Sequence, residues 1–349
     1  MKYLRIGLIA LGVLLALAAG LSAVGAWQYY RGMAINTPNG IDEAGYVRIG
    51  GIDQWVQIRG QDKSNPVLLW LNGGPGASTI GLTYAMRDWE KSFTVVMWDQ
   101  RGEGRTFAKS GPAVAPTMTI DRMAQDGIEL TEYLRRRLHK DKIIVLGHSW
   151  GSILGVHMVR QRPNLFSVYV GTGQTRQMRG DIALSYPRLL ARAEAAHNQQ
   201  AVKELRTAGP PPYADDRKYL APVLWANELD PPITSAGISS LSMPGYLWAT
   251  LVNPPPFLSK GWEFSVKLLW KPILAENLST AAPRLDVPVI VIEGSEDLVT
   301  PSAKVWLNSI TAPQKEFFEI SGGGHLALLA RRDAFLDLLV KHVRPLAQQ

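Results

Sequence analysis

The sequence predicts an α/β fold on a mostly parallel sheet, with a helical insertion and an apolar N-terminal helix. Continuous apolar, β-branched runs at 67–71, 93–98 and 143–146 have the length and composition of strands buried on both faces. Helical stretches lie between or after them, and strands alternating with helices imply parallel neighbours joined by crossovers. The strand signal returns at 287–292 and 317–320, beyond a proline-punctuated helical stretch.

At the N-terminus, Lys2 and Arg5 precede an uncharged apolar run over 6–27. About 20 apolar residues span a hydrocarbon core as a helix. The basic residues would stay cytoplasmic, which makes 1–30 a membrane anchor and places the rest outside the cytoplasm, in a periplasm. Val24-Gly25-Ala26 also suits a signal peptidase, so secretion after cleavage is the alternative. A polar linker over 37–45 leads to alternating segments at 46–49 and 54–58 around Gly50-Gly51, the pattern of a β-hairpin.

The helix expected over 120–139 has Thr119 and Asp121 as cap candidates, and Met123, Leu130, Leu134 and Leu138 fall on one face, with Gly127 filling the gap. A second amphipathic helix, over 327–343, closes the chain. The core therefore comprises 31–175 and 283–349. Residues 176–282 form a helical lid, marked by prolines at 210–212, 231–232 and 254–256. Its Trp225, Leu241, Trp248, Leu251 and Trp262 are expected to pack the lid rather than meet substrate.

Composition narrows the function. Of 349 residues, 46% are hydrophobic and 19% charged, a globular balance that argues against disorder. The net charge of +7 is spread out except for Arg135, Arg136, Arg137, Lys140 and Lys142. That run closes a helix, where cations suit the macrodipole, so nucleic acid is not an expected partner. There are no cysteines, which excludes disulfides, a thiolate nucleophile and Cys-ligated zinc. Gly171-Thr172-Gly173 lacks the third glycine of a dinucleotide fingerprint, and neither G-x-x-x-x-G-K-[ST] nor H-E-x-x-H occurs. No cofactor or metal is expected.

The sharpest motif is Gly147-His148-Ser149-Trp150-Gly151, a G-x-S-x-G between the strand at 143–146 and a helical run at 153–160. A strand that turns abruptly into a helix holds its serine exposed and strained, and the flanking glycines remove side chains that would collide there. Ser149 is thus the candidate nucleophile of an α/β-hydrolase fold. A serine hydroxyl needs an imidazole as base, and the imidazole needs a carboxylate to fix its tautomer. Among six histidines only His325 lies in a loop after a late strand, behind Gly322, Gly323 and Gly324. For the acid, the strand at 287–292 runs into Glu293-Gly294-Ser295-Glu296-Asp297. Asp297, farthest into the loop, is the choice, with Glu296 the alternative. The order nucleophile, acid, base is the one this fold uses. An oxyanion hole needs two backbone donors: Trp150 supplies one, and Gly74, or else Gly73, of Leu71-Asn72-Gly73-Gly74-Pro75-Gly76 supplies the other.

Together, LNGGPG at 71–76, DQRGEGR at 99–105, GHSWGS at 147–152, GSED and GGGH resemble the prolyl aminopeptidase (proline iminopeptidase) branch of the α/β hydrolases. The resemblance covers roughly 54–173 and 287–325. It implies release of an N-terminal proline or small residue from short peptides, with Ser149, Asp297 and His325 as triad and Gly74 and Trp150 at the oxyanion. It departs at Asn72, where the family usually has histidine. In the resembled enzymes lid carboxylates hold the substrate ammonium, which implies Glu194, Glu204, Glu228 or Asp230 here, with Glu228 the candidate for substrate binding. The alternatives are a carboxylesterase or lipase-like hydrolase using the same triad, and a membrane-tethered binding protein without catalysis.

Overall fold

Gly50 and Gly51, at φ 56° and 77°, close the first hairpin with two left-handed residues, as a tight turn matching strand twist requires. They join β1 (Ile41–Ile49) to β2 (Ile52–Gly60). A computed structural model describes residues 2–231, 243–252 and 260–348. Leu241 and the prolines at 232 and 254–256 lie outside the described residues.

Six further strands complete one sheet: β3 (Val67–Leu71), β4 (Thr94–Asp99), β5 (Ile143–His148), β6 (Phe166–Thr172), β7 (Val289–Gly294) and β8 (Lys315–Ile320). Their spatial order is β1-β2-β4-β3-β5-β6-β7-β8. Only the pairs β1/β2 and β2/β4 are antiparallel; the others run parallel. This is an α/β-hydrolase fold.

The side-chain alternation of the strands divides the core. Leu69, Leu71, Val145, Val289 and Val291 face one side, where they pack with Met123, Leu130 and Leu134 of α2 (Ile120–Leu138) and with Ile153 and Val156 of α3 (Trp150–Gln161). Leu68, Trp70, Ile144, Leu146, Ile290 and Ile292 face the other, against Phe335, Leu339 and Val343 near the C-terminus. Every residue of β3, β4, β5 and β7 is buried, which explains why these strands read as unbroken apolar runs. Thr119 caps α2 by accepting from the Arg122 N–H at 3.1 Å, and His139 ends it in the left-handed conformation.

Two differences from the sequence reading have simple causes. β5 and β7 each run two residues past their apolar stretches, because parallel partners β6 and β8 continue the ladder beside them. The closing helix divides into Ala327–Ala330, Arg332–Leu338 and a π-helical turn at Leu339–Val343. Arg331 breaks it at φ −128°, with its side chain turned to the Gly322 loop.

Between β6 and β7 the described residues are mainly helical: α4 (Met178–Ala195), α5 (Gln199–Ala208), α6 (Leu220–Glu228), α7 (Met243–Val252) and α8 (Lys260–Ala275), with the 3-10 turn Asp216–Tyr219 and the single turn Leu278–Ala281. Tyr186, Leu189, Leu205 and Trp225 form a small core of their own, and it also takes in Leu298 and Val299 from the loop after β7. The helical layer is thereby packed onto the loop that carries Asp297.

The N-terminal helix α1 (Lys2–Met33) includes an apolar stretch over Ala10–Met33 with mean hydropathy 2.0 that is almost wholly exposed. Its last turns are docked: Tyr29 and Met33 pack on Tyr84, Ala85 and Ala249, and Arg59 donates to the Met33 carbonyl.

Candidate active site

Ser149 stands between β5 and α3 at φ 54°, ψ −120°. A non-glycine residue there is strained, so the surroundings must hold it. They do so by contact: a Cβ at Gly147 would overlap the Gly151 carbonyl, and one at Gly151 would overlap the Leu71 carbonyl. Strand, elbow and helix are thus in backbone contact, which only glycine permits. Ser149 N–H donates to the Thr172 carbonyl at 3.1 Å, tying the elbow to β6.

The loop after β3 runs directly over the serine. A Cβ on Gly73 would lie 3.0 Å from both Ser149 Cβ and His148 Nδ1. Gly74 follows at φ 125°. Trp150 opens α3, so its backbone N–H is among those that a helix's first turn leaves without an intrahelical acceptor.

The three carboxylates at the end of β7 and in the loop beyond it separate by partner. Glu293 accepts the N–H groups of Gly173 at 3.0 Å and Gln174 at 2.7 Å; burial, then the charge of Asp297, push its pKa well above the usual range. Glu296 turns outward to Arg192 at 2.9 Å. Asp297 meets His325: Oδ2 lies 2.9 Å from Nδ1. Its remaining capacity is taken by the N–H groups of Val299 and Thr300 and by the Thr300 hydroxyl, at 2.6, 3.0 and 2.7 Å. Burial opposes ionisation of Asp297, but the neighbouring imidazole and these hydrogen bonds outweigh it and hold the pKa at about 2. For His325 burial opposes the cation, and the charge of Asp297 outweighs it, raising the pKa.

His148 joins the cluster from the elbow. Its ring centroid is 4.9 Å from that of His325, and its Nε2 donates to the His325 carbonyl at 3.0 Å. Burial, then the other imidazole, lowers its pKa to about 3, so it serves as a neutral strut. A Cβ on Gly173 would fall 2.7 Å from His325 Cε1, so β6 ends against the imidazole.

The four candidate acids between β6 and β7 have distinct surroundings. Glu194 pairs with Arg206 at 2.7 Å, and Glu204 accepts from Trp225 Nε1 at 2.9 Å. Glu228 ends α6 in an exposed position. Asp230 comes to the cluster, where its oxygens accept the N–H groups of His325 at 2.8 Å and Leu326 at 3.2 Å. Asp181, at the start of α4, is also buried beside the acid loop: it accepts from Ser302, and burial raises its pKa to about 6. These places of Asp230, Asp181, His148 and Glu293 were not legible in the sequence, because each is defined by a partner more than 90 residues away or by its backbone surroundings. The one local hint was Glu293 at the end of a buried strand.

The fold and the strained serine elbow define a hydrolase. The family model for the alpha/beta hydrolase fold matches residues 66–331, and the chain belongs to that family. It is 31% identical over 306 residues to the probable aminopeptidase YbaC of Bacillus subtilis (strain 168), an alignment covering 85% of this chain and 94% of that one. It is 26% identical over 310 residues to the proline iminopeptidase of Lacticaseibacillus rhamnosus (strain Lc 705), covering 84% and 96%. In fold it resembles a proline iminopeptidase-related protein of Thermus thermophilus, with a TM-score of 0.64, 20% identity and coverage of 88% and 99%.

Proposed function

We propose that this hydrolase works through an acyl-enzyme, with Ser149 as nucleophile, His325 as base and Asp297 as the acid that orients it. The observation that carries this reading is the buried Asp297–His325 pair at 2.9 Å, set among the residues that flank the Ser149 elbow. Ser149 Oγ attacks the carbonyl carbon and its proton passes to His325 Nε2. Asp297 holds Nδ1–H and stabilises the imidazolium. The carbonyl oxygen becomes an oxyanion facing the N–H groups of Trp150 and Gly74, donors that need no reorganisation. Collapse expels the amine, which takes the proton from His325; water then repeats the sequence and frees the acid.

The substrate reading is an aminopeptidase that releases N-terminal proline or small residues from short peptides. It is supported by the aminopeptidase and iminopeptidase names of relatives aligned over most of both chains. Of the four candidate acids, Glu228 is exposed and has no protein partner among the described residues, which leaves it open to a substrate ammonium. We further read α1 as a membrane anchor with the catalytic domain outside the cytoplasm, the basic Lys2 and Arg5 remaining inside.

One observation favours a second reading. Glu194, Glu204 and Asp230 already have protein partners, and an ester hydrolase needs no anion for a free amine. Paired substrates decide between the two. Proline and alanine anilides turned over faster than their N-acetylated forms support the aminopeptidase. Short-chain ester cleavage with no anilide release supports the esterase. A fluorophosphonate that labels the wild type but not Ser149→Ala tests the nucleophile itself.

A further inference from the structure

Glu103 is a fully buried carboxyl to which the proposed acyl transfer gives no role. It has 0% exposure and sits just before the short helix Gly104–Ser110. Its Oε2 accepts from Asn72 Nδ2 at 2.9 Å, while Oε1 has no hydrogen-bond partner among the described residues. Asn72 Oδ1 accepts from Gln100 Nε2 at 3.0 Å, and Gln100 Oε1 accepts from the indole Nε1 of Trp150, also at 3.0 Å. All four side chains are buried.

This row of hydrogen bonds has a direction. An indole nitrogen can only donate, so Gln100 must turn its oxygen to Trp150 and its NH2 to Asn72. Asn72 must then repeat the orientation, and the row has to finish on an acceptor. Glu103 provides it. The row also joins the two segments that carry the proposed oxyanion donors. Trp150 belongs to one segment, and Asn72 grips the other: its second Nδ2 hydrogen goes to Ala77 O at 2.7 Å, with Gly73 O sharing the amide at 3.2 Å, on either side of Gly74. Ser265 of α8 donates to the Gly102 carbonyl at 2.9 Å, so the lid steadies the loop that holds Gln100 and Glu103.

We propose that Glu103 is a positioning residue for acyl transfer: through Asn72 and Gln100 it holds the backbone N–H groups of Gly74 and Trp150 in register over Ser149. The assignment rests on the serine-hydrolase reading above. Burial, then the charge of Asp99, push the Glu103 pKa well above the usual range. The acceptor that Asn72 meets at Oε2 is supplied again by the amide oxygen of glutamine and not by leucine.

The test is inactivation of the full chain by a fluorophosphonate, whose bound oxygen occupies the oxyanion position, with kinact and KI resolved separately. Glu103→Leu is expected to lower kinact about tenfold with KI changed less than about twofold, short of the roughly hundredfold cost of deleting an oxyanion donor outright. Glu103→Gln should restore kinact to within about twofold of wild type, since the acceptor returns. Gln100→Leu, which leaves Glu103 in place, should reproduce the loss and decides the matter where Glu103→Leu does not fold. Unaltered kinact in Glu103→Leu or Gln100→Leu, or a loss in Glu103→Gln as deep as in Glu103→Leu, overturns the assignment alone. A wild-type chain inert to the probe overturns the serine-hydrolase reading and this assignment with it.

Discussion

Asp230 Oδ1 accepts the backbone N–H of His325 at 2.8 Å, so a residue of the helical segment between β6 and β7 clamps the main chain of the imidazole proposed as base. With its second oxygen on Leu326 N–H, the carboxylate spans the turn that starts Ala327–Ala330. Asp230→Asn keeps the size and one acceptor but loses the charge-assisted pair. We expect kcat/KM to fall about tenfold, the value of one weakened charged hydrogen bond. Anilides and esters should suffer equally, because the contact is to the protein. A loss confined to free-amine substrates would instead give Asp230 the ammonium.

In the proposed mechanism the raised pKa of His325 sets the acid limb of activity. The base works when neutral, so the rate climbs with pH through its pKa, which lies above the ordinary 6.5 because Asp297 favours the cation. Asp297→Asn should move the limb to lower pH and cut kcat by roughly ten-thousandfold, the scale seen when a triad acid is made an amide. A limb that stays in place would show that another group controls it.

Asp297 also contributes to acid stability. Its folded pKa of about 2 lies below the ordinary 3.8, so its contribution is complete above pH ~4 and is lost as pH falls towards 2. Urea midpoints between pH 4 and 2 should decline less steeply in Asp297→Asn than in wild type.

Much of this arrangement was legible because its signals are local. The buried parallel strands appear as apolar runs, and the elbow is written in five consecutive residues. Loop position set Asp297 apart from Glu296, and in the structure Asp297 meets His325 while Glu296 turns to Arg192. The relay from Trp150 to Glu103 was not legible: Asn72, Gln100 and Trp150 lie on three different strand ends, and only sheet order brings those ends side by side. The clamp by Asp230 is equally non-local, since it depends on how the lid folds back over 95 residues.

Gly73→Ala separates geometry from stability. The new Cβ would press at 3.0 Å on Ser149 Cβ and His148 Nδ1, which a buried imidazole and a strained elbow cannot easily yield. Activity should fall about hundredfold while the unfolding free energy drops by only ~1–2 kcal/mol, the scale of one overpacked contact. Circular dichroism melts beside esterase assays would show the two effects dissociating.

The anchor reading can be tested with a single introduced thiol, because the chain has no cysteine of its own. Leu15, 61% exposed, and Val305, 51% exposed, are suitable positions. An environment-sensitive fluorophore on Leu15→Cys should report hydrocarbon in liposomes, and one on Val305→Cys should report water. A watery signal at both would remove the anchor, and a mature chain beginning near Trp27 would replace it with a cleaved leader.

The final turns of α1 do not trail from the enzyme. Arg59, itself bound to Glu90 at 2.7 Å, grips the Met33 carbonyl, and Tyr29 and Met33 rest on Tyr84 and on Ala249 of α7. A rod fastened in this way transmits tilt. What grips its shaft is therefore felt at α7, so lengthening the seven-residue connector to β1 would leave the seating of the rod on α7 unchanged while loosening the Met33 clasp would not.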